Sequence, residues 1–285
     1  MKKLAIIILA LFVMGCSENK NDLIKQNLKG EVKSITENTY FAIEKFGEIT
    51  KGDKSNEFYE LDNNFKLFND LGNLIEQKNV WKRGNIKYKY DSNNNLIEEK
   101  SFKNYDRSSS ELITYEYNLK NHLIEKNEFE IIEGKTKLDR KSKYINDESG
   151  NPTLTSVYYS DGLLRFKYTD EYINGKIRKE NRFGKDGELT SKYIYSYDNN
   201  GNIIKEIKYS INNSISFVFE TNIYKYNDKK DVIENISSTL NILLKNETNK
   251  FNYVYSYDKK NNFIKKIIFK DGTPTKIIER VIEYY

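Results

Sequence analysis

The chain has 285 residues, 38% of them hydrophobic and 31% charged, with 47 Lys and Arg against 42 Asp and Glu for a net charge of +5 at pH 7. The two signs are interspersed and form no basic stripe, which argues against a nucleic-acid partner. Aromatic residues at 14% and only two prolines argue against disorder, and the polarity of the rest predicts a thin core.

Lys2 and Lys3 precede an unbroken apolar run from Leu4 to Met14. That length suits the core of a signal peptide and falls short of the roughly 20 residues of a spanning helix. The run ends in Val13-Met14-Gly15-Cys16, and the chain turns polar at once with Ser17, Glu18, Asn19 and Lys20. These residues resemble a bacterial lipoprotein signal. The resemblance implies removal of residues 1–15 and a diacylglyceryl group on the Cys16 thiol, with acyl chains such as palmitate holding the chain to the lipid bilayer. Ser17 in place of Asp implies sorting to the outer membrane, with the body facing the periplasm or the exterior. An ordinary secretory signal is the plainer alternative. Cys16 is the only cysteine, so lipidation leaves no disulfide, thiolate nucleophile or thiolate metal site. Loss of Lys2 and Lys3 leaves a mild positive excess, and the mature body is expected to be soluble and tethered.

Residues 16–22 read as the lipidated cysteine and a short tether. Residues 23–62 read as capping strands: "EVKSITENTYFA" (31–42) alternates, and Phe46-Gly47-Glu48 begins a turn. From 63 to 285 one frame recurs. With Tyr197 as position zero, Asp198 follows, Gly201 lies at plus four, Asn202 at plus five, Ile203-Ile204-Lys205 at plus six to eight and Tyr209 at plus twelve. The frame fits again from Phe68, Tyr90, Tyr117, Tyr226 and Tyr257, and more weakly from Asn146. Tyr172-Ile173-Asn174-Gly175-Lys176-Ile177 is a shortened copy. Asp or Asn at plus one bonds its own backbone two residues on and starts a turn. Gly or Asn at plus four suits the left-handed residue of a type I turn closed by a bulge. Lys230 breaks that rule, so its turn is expected to be strained or different.

A second set of turns joins the units: Arg83-Gly84-Asn85, Glu133-Gly134, Ser160-Asp161-Gly162, Lys185-Asp186-Gly187, Asn212-Asn213 and Asp271-Gly272. Strand and turn therefore alternate through the body. This predicts an all-β, antiparallel meander of stacked hairpin repeats forming one long curved sheet. Period-two alternation places Tyr193, Tyr195 and Tyr197 on one face, and Tyr253, Tyr255 and Tyr257 likewise. Position plus seven is isoleucine at 75, 97, 124, 204, 233 and 264. A flat one-sided sheet does not need them, so the sheet is expected to curve or partly close and bury its second face there.

The frame, fullest in "YSYDNNGNIIKE" (195–206) and less full in "YSYDKKNNFIKK" (255–266) and "YKYDSNNNLIEE" (88–99), resembles the YD repeat of bacterial Rhs-type proteins. The likeness covers roughly Phe68 to the C-terminus. It implies a curved, stacked sheet. The family's encapsulating role does not carry over, because the array is short and no cleavage segment or trailing effector domain is recognised.

Candidate chemistry is sparse. His122, the only histidine, occupies plus five and reads as a turn residue; without a second histidine or a free thiol, nucleophilic triads and zinc sites fail. Asp198-x-Asn200-x-Asn202 and Asp91-x-Asn93-x-Asn95 look like the start of a calcium loop but lack its central glycine and its acid at position twelve. Glu76, Glu98, Glu125 and Glu234 recur as a ladder, whereas a hydrolase pair should be singular and sheltered. No catalytic residue, metal or cofactor is therefore assigned. The irregular stretches Asn104–Ser110, Asn146–Gly187 and Ser237–Asn249 are the better places for a partner surface. The expected function is a membrane-anchored envelope lipoprotein whose repeat body is a non-enzymatic binding or structural module with a protein or glycan partner. A carbohydrate-binding surface protein, an immunity or accessory protein of a toxin system and, least favoured, a carboxylate hydrolase are the alternatives.

Overall fold

The computed structural model describes residues 21–55, 64–80, 84–102, 109–212, 215–240 and 245–285. The signal segment, Cys16, the tether as far as Lys20, Arg83, Asn213 and parts of two irregular stretches (103–108 and 241–244) lie outside the described residues. Asn21 caps a short helix, α1 (Asp22–Lys25), its side chain accepting from the Ile24 amide at 3.1 Å. Then come β1 (Val32–Lys45), β2 (Glu48–Lys54), β3 (Asn64–Phe68), β4 (Leu74–Val80), β5 (Gly84–Tyr90) and β6 (Leu96–Phe102). They are followed by β7 (Ser109–Tyr117), β8 (Leu123–Ile132), β9 (Lys135–Asn146), β10 (Pro152–Tyr159), β11 (Leu164–Ile173), β12 (Lys176–Gly184) and β13 (Leu189–Tyr197). The last six are β14 (Ile203–Asn212), β15 (Ile215–Tyr226), β16 (Val232–Leu240), β17 (Asn246–Tyr257), β18 (Phe263–Lys270) and β19 (Thr273–Tyr284).

The all-β antiparallel meander is present, each strand from β3 to β19 pairing with the next. The open curved sheet expected from the repeats is not. β19 pairs with β1 from Val32 to Phe41, and β1 pairs through Ser34–Glu37 with β3, closing β1 and β3–β19 into a barrel of 18 strands. β2 lies outside the ring, on the far end of β1. The segment 23–62 thus supplies, in β1, the strand that closes the barrel.

Closure is built into the hairpins. In each full copy position zero faces plus six while minus one faces plus eight: Tyr90 opposes Leu96, but Lys89 opposes Glu98. The same shift follows Phe68, Tyr117, Tyr197, Tyr226 and Tyr257. Position plus seven, the recurrent isoleucine, is therefore the extra residue of a β-bulge, which bends and twists its strand. A second row of register shifts lies toward the other rim, at the plus-twelve aromatics Phe129, Tyr158, Tyr209 and Phe269. Two rows of bends curl the sheet until its edges meet. Burial of a second face is not the cause, since Ile97, Ile124, Ile204, Ile233 and Ile264 are each 36–38% exposed.

The bulge interrupts the ladder, and the next hairpin repairs it. Tyr90 Oη donates to the Leu74 carbonyl at 2.8 Å, Tyr117 to Leu96 at 2.9 Å and Tyr226 to Ile203 at 2.8 Å, each carbonyl being plus six of the preceding copy. Asn146 does this with its side-chain amide on Leu123, and Tyr255 replaces Tyr257 in reaching Val232. The turns close on themselves: the Asp198 carboxylate accepts from both the amide and the side chain of Asn202 at 2.8 Å. Lys230 adopts φ 65° in a turn bonded as the others are, Lys230 N to Asn227 O at 3.1 Å. The turn is strained but not different.

Removing a tyrosine hydroxyl that bridges two hairpins should cost about 0.5–1.5 kcal/mol. Tyr117→Phe and Tyr226→Phe are expected to lower the urea midpoint, whereas Tyr193→Phe, which reaches no neighbouring turn carbonyl, is expected to leave it nearly unchanged.

Candidate functional site

Register separates the two faces of the wall. Tyr253, Tyr255 and Tyr257 in β17 are half-buried while Val254 and Ser256 between them are exposed; Ile282 and Tyr284 in β19 contrast likewise with Val281 and Glu283. The less exposed, tyrosine-bearing face is the one on which the N-terminal segment lies. Leu23 and Leu28 cluster there with Val32, Ile35, Phe68 and Leu74, against Tyr88, Ile282 and Tyr284. This is the inner face. Apart from β1 with β2, substantial contacts among the described strands join only ring neighbours, and 18 strands enclose a lumen wide enough for water.

Residues 21–31 form a strap across the mouth at the repeat-turn end. Asn21 Nδ2 donates to the Leu71 carbonyl at 2.8 Å, and the Asp22 carboxylate accepts from the Leu74 amide at 2.9 Å and from Tyr90 Oη at 2.8 Å. Five residues later Asn27 Nδ2 donates to the Lys229 carbonyl at 2.9 Å. The Lys29 amide donates to Asn262 Oδ1, and Asn262 Nδ2 returns a bond to the Lys29 carbonyl, both at 2.8 Å. From β5 to β16 the wall takes about seven inter-strand steps, roughly 33 Å. Five residues span at most about 18 Å, and α1 shortens them further. The strap therefore cuts across the mouth instead of following the wall. Although burial raises the Asp22 carboxyl, the bonds from Leu74, Tyr90 and Lys25 outweigh it and hold Asp22 below its ordinary value.

Inside the barrel one sector departs from the repeat. Around the two-residue Asn174-Gly175 turn, where both residues have positive φ, Asp170 on β11 lies directly opposite Glu180 on β12. Glu180 opposes Tyr193, and Tyr195 opposes Glu206. The Arg182 guanidinium sits between the Tyr168 and Tyr193 rings, 5.2 and 4.4 Å from their centroids, with its Nε on Glu180. Like charges directly opposite are unfavourable in a sheet. Burial and the Glu180 carboxylate push Asp170 up to about 6, and its buried Oδ1 has no hydrogen-bond partner. Burial and Glu220 likewise raise Glu206. Burial first, then the Asp170 carboxylate, pushes Tyr172 up to about 12. The wall is a place where a bound proton, a cationic group or a hydroxyl-rich ligand relieves repulsion.

The residues singled out from sequence fall elsewhere. Glu98, Glu125 and Glu234 lie on the outer face in ion pairs with Lys89 at 2.7 Å, Lys141 at 2.8 Å, and Lys225 and Lys250 at 2.8 and 2.9 Å. The two lysines hold Glu234 down to about 2. Glu76 lies 3.8 Å from Lys78. His122 is a turn residue, its amide donating to Asn118 Oδ1 at 3.0 Å. Asp91 and Asp198 spend their carboxylates on their own turns, and the Asn202 bonds lower Asp198. Among the described residues no three His, Cys, Asp or Glu side chains are grouped to hold a metal ion. Asp170 and Glu180 do lie in the irregular stretch 146–187. Counting strands outward from Asn174-Gly175 brings them together once a one-residue bulge is allowed.

No family model and no curated protein sequence matches the chain. A porin-like protein from Bacteroides uniformis aligns over 90% of this chain and 99% of its own at 12% identity, TM-score 0.42. One from Bacteroides vulgatus aligns over the same shares at 11% identity, TM-score 0.29. A TcdB2-TccC3-TEV structure aligns over 79% of this chain and 16% of its own, at 11% identity and TM-score 0.29. The closed barrel described above rests on its own strand pairings.

A carboxyl whose folded value is raised stabilises the fold at low pH and loses that contribution as pH rises through about 6. Asp170→Asn should therefore gain stability over the parent at pH 7, on the order of 1 kcal/mol after solvent screening. The gain should shrink toward pH 5. Urea unfolding of both proteins at the two pH values measures it, and a pH-independent difference would count against the assignment.

Proposed function

We propose that the protein is an envelope lipoprotein, acylated at Cys16 and sorted to the outer membrane, whose body is a closed YD-repeat-like barrel outside the bilayer acting as a non-enzymatic binding module. The observation that carries this is the charge on both faces at mid-strand. Lys100, Lys141, Lys167, Lys192 and Lys250 lie on the outer face of β6, β9, β11, β13 and β17. Glu128, Arg140, Arg182, Lys208 and Lys266 lie on the inner face. A spanning barrel presents an apolar band about 25 Å tall, and each lysine at its midplane costs about 2–4 kcal/mol. Five such lysines would exceed or match the whole stability of a typical domain, about 5–15 kcal/mol. The body belongs in water, and its hold on the membrane is the acyl chains, about 0.8 kcal/mol per buried methylene.

The lumen is the binding compartment: strapped at one mouth, and lined by tyrosine rings alternating with carboxylates. That alternation favours a carbohydrate as the second, narrower reading, with rings offering apolar faces and acids accepting from hydroxyls. A glycan array tests it.

Palmitate labelling is expected to mark the wild type and to vanish in Cys16→Ala; retained label would sink the anchor. The same variant should leave the membrane fraction on alkaline carbonate washing. Its persistence there after the signal segment has been cleaved would mean that the barrel itself spans the bilayer.

A further inference from the structure

We propose that the strapped mouth is a membrane-docking surface: the barrel stands with its repeat turns against the lipid headgroups and its other mouth pointing away. This rests on the reading of Cys16 as the lipid anchor. Cys16 is five backbone steps from Asn21, so the acylated residue lies no more than about 18 Å from the strap. Asn21 is pinned to the Leu71 turn. The exit point of the tether is thus fixed on the mouth, not on the wall or the far rim.

The side chains around that exit suit an interface. Ile24 on α1 and Leu71 on the β3–β4 turn are more than half exposed, and Leu119 at the tip of the β7–β8 turn is fully exposed. Leu71 and Leu119 have no apolar neighbour within their own hairpin tips, where Asn69, Asp70 and Gly72 flank Leu71 and Asn118, Lys120 and Asn121 flank Leu119. Lysines stand beside them and across the mouth: Lys25 and Lys120 are exposed, as are Lys230, Lys259 and Lys260. Of the acids in the last two repeat turns, Asp231 and Asp258 face inward, while Asp228 is exposed beside Lys229. Asp231 accepts from Asn27 at 3.2 Å and Tyr257 at 2.9 Å, and Asp258 accepts from the amides of Lys260 and Asn262 and from Tyr284 Oη. Apolar tips beside outward lysines insert into the headgroup layer and meet anionic lipid. The strap carries the load between anchor and barrel, and its bonds to turns on opposite sides of the mouth keep the barrel from pivoting about one hairpin.

The test uses the full-length acylated protein in phosphatidylcholine–phosphatidylglycerol vesicles, with an environment-sensitive fluorophore on one added cysteine. Lys120→Cys reports on the strapped mouth, Lys192→Cys on the mid-wall, and Phe46→Cys on the far rim, where Phe46 is fully exposed. Headgroup-nitroxide lipid should quench the Lys120→Cys probe at least threefold more than either other probe. Adding Leu119→Asp should reduce that quenching about twofold or more. Stronger quenching at Lys192→Cys or Phe46→Cys, or equal quenching at all three, overturns the orientation while flotation with the vesicles still upholds the anchor. Protein that fails to float with vesicles overturns the anchor and the orientation with it.

Discussion

The barrel depends on a single repeated device: a bulge that breaks the strand ladder at plus seven, and a tyrosine hydroxyl from the next hairpin that occupies the carbonyl beside the break. Each half requires the other. A bulge alone leaves a backbone acceptor unpaired in a half-buried wall, which is unfavourable. A tyrosine alone would be one more aromatic side chain on a sheet. Together they bend the repeat hairpins and fix those at Tyr90, Tyr117 and Tyr226 to their predecessors. The device is absent where the frame is absent, and there substitutes take over: the Asn146 amide in the weak copy, and Tyr285 Oη on the Phe68 carbonyl across the closure.

Closure changes what the core has to do. A sandwich hides one face of each sheet, but a wide barrel keeps both faces near water, so apolar burial is confined to a few places. Among the described residues a buried cluster at the mouth joins the strap to β1, β3 and β4, the point where the ring is sealed. Arg280 on β19 reinforces the seam with Glu37 on β1 at 2.6 Å. The thin core expected from composition is concentrated where the edges meet.

Much of this was legible in the chain. Tyr197, Asp198, Gly201 and Asn202 announce turn, cap and alternation, and the repeat announces an antiparallel meander. The register itself was within reach, because Asp-x-x-Gly-Asn turns fix which residues oppose. The sixfold isoleucine at plus seven was visible, yet its meaning was not: a bulge residue and a buried residue leave the same mark in a sequence. Closure depended on β1 finding two partners more than two hundred and about thirty residues away, Tyr284 and Leu67 among them, and no local pattern encodes such a pairing. Asp170 and Glu180 looked like ordinary exposed charges, since only the shortened turn at Asn174-Gly175 and its bulge set them face to face. Asp22 reads as tether and Asn27 and Lys29 as part of a capping segment until their partners on distant turns are seen.

Shape and environment are separable in such a barrel. Strand number, bulges and closure are backbone properties and make a cylinder with a lumen. Whether that cylinder spans a bilayer is decided by the side chains at mid-strand, and here lysines occupy the outer face of β6, β9, β11, β13 and β17. The cross-strand logic that pairs Lys89 with Glu98 and Lys225 with Glu234 stabilises a wall in water and would oppose its transfer into lipid. The acyl anchor proposed at Cys16 would resolve the conflict. Such an anchor would hold to the membrane a barrel whose own surface rejects the hydrocarbon, and would leave the lumen, with its carboxylates and tyrosines, in the aqueous phase.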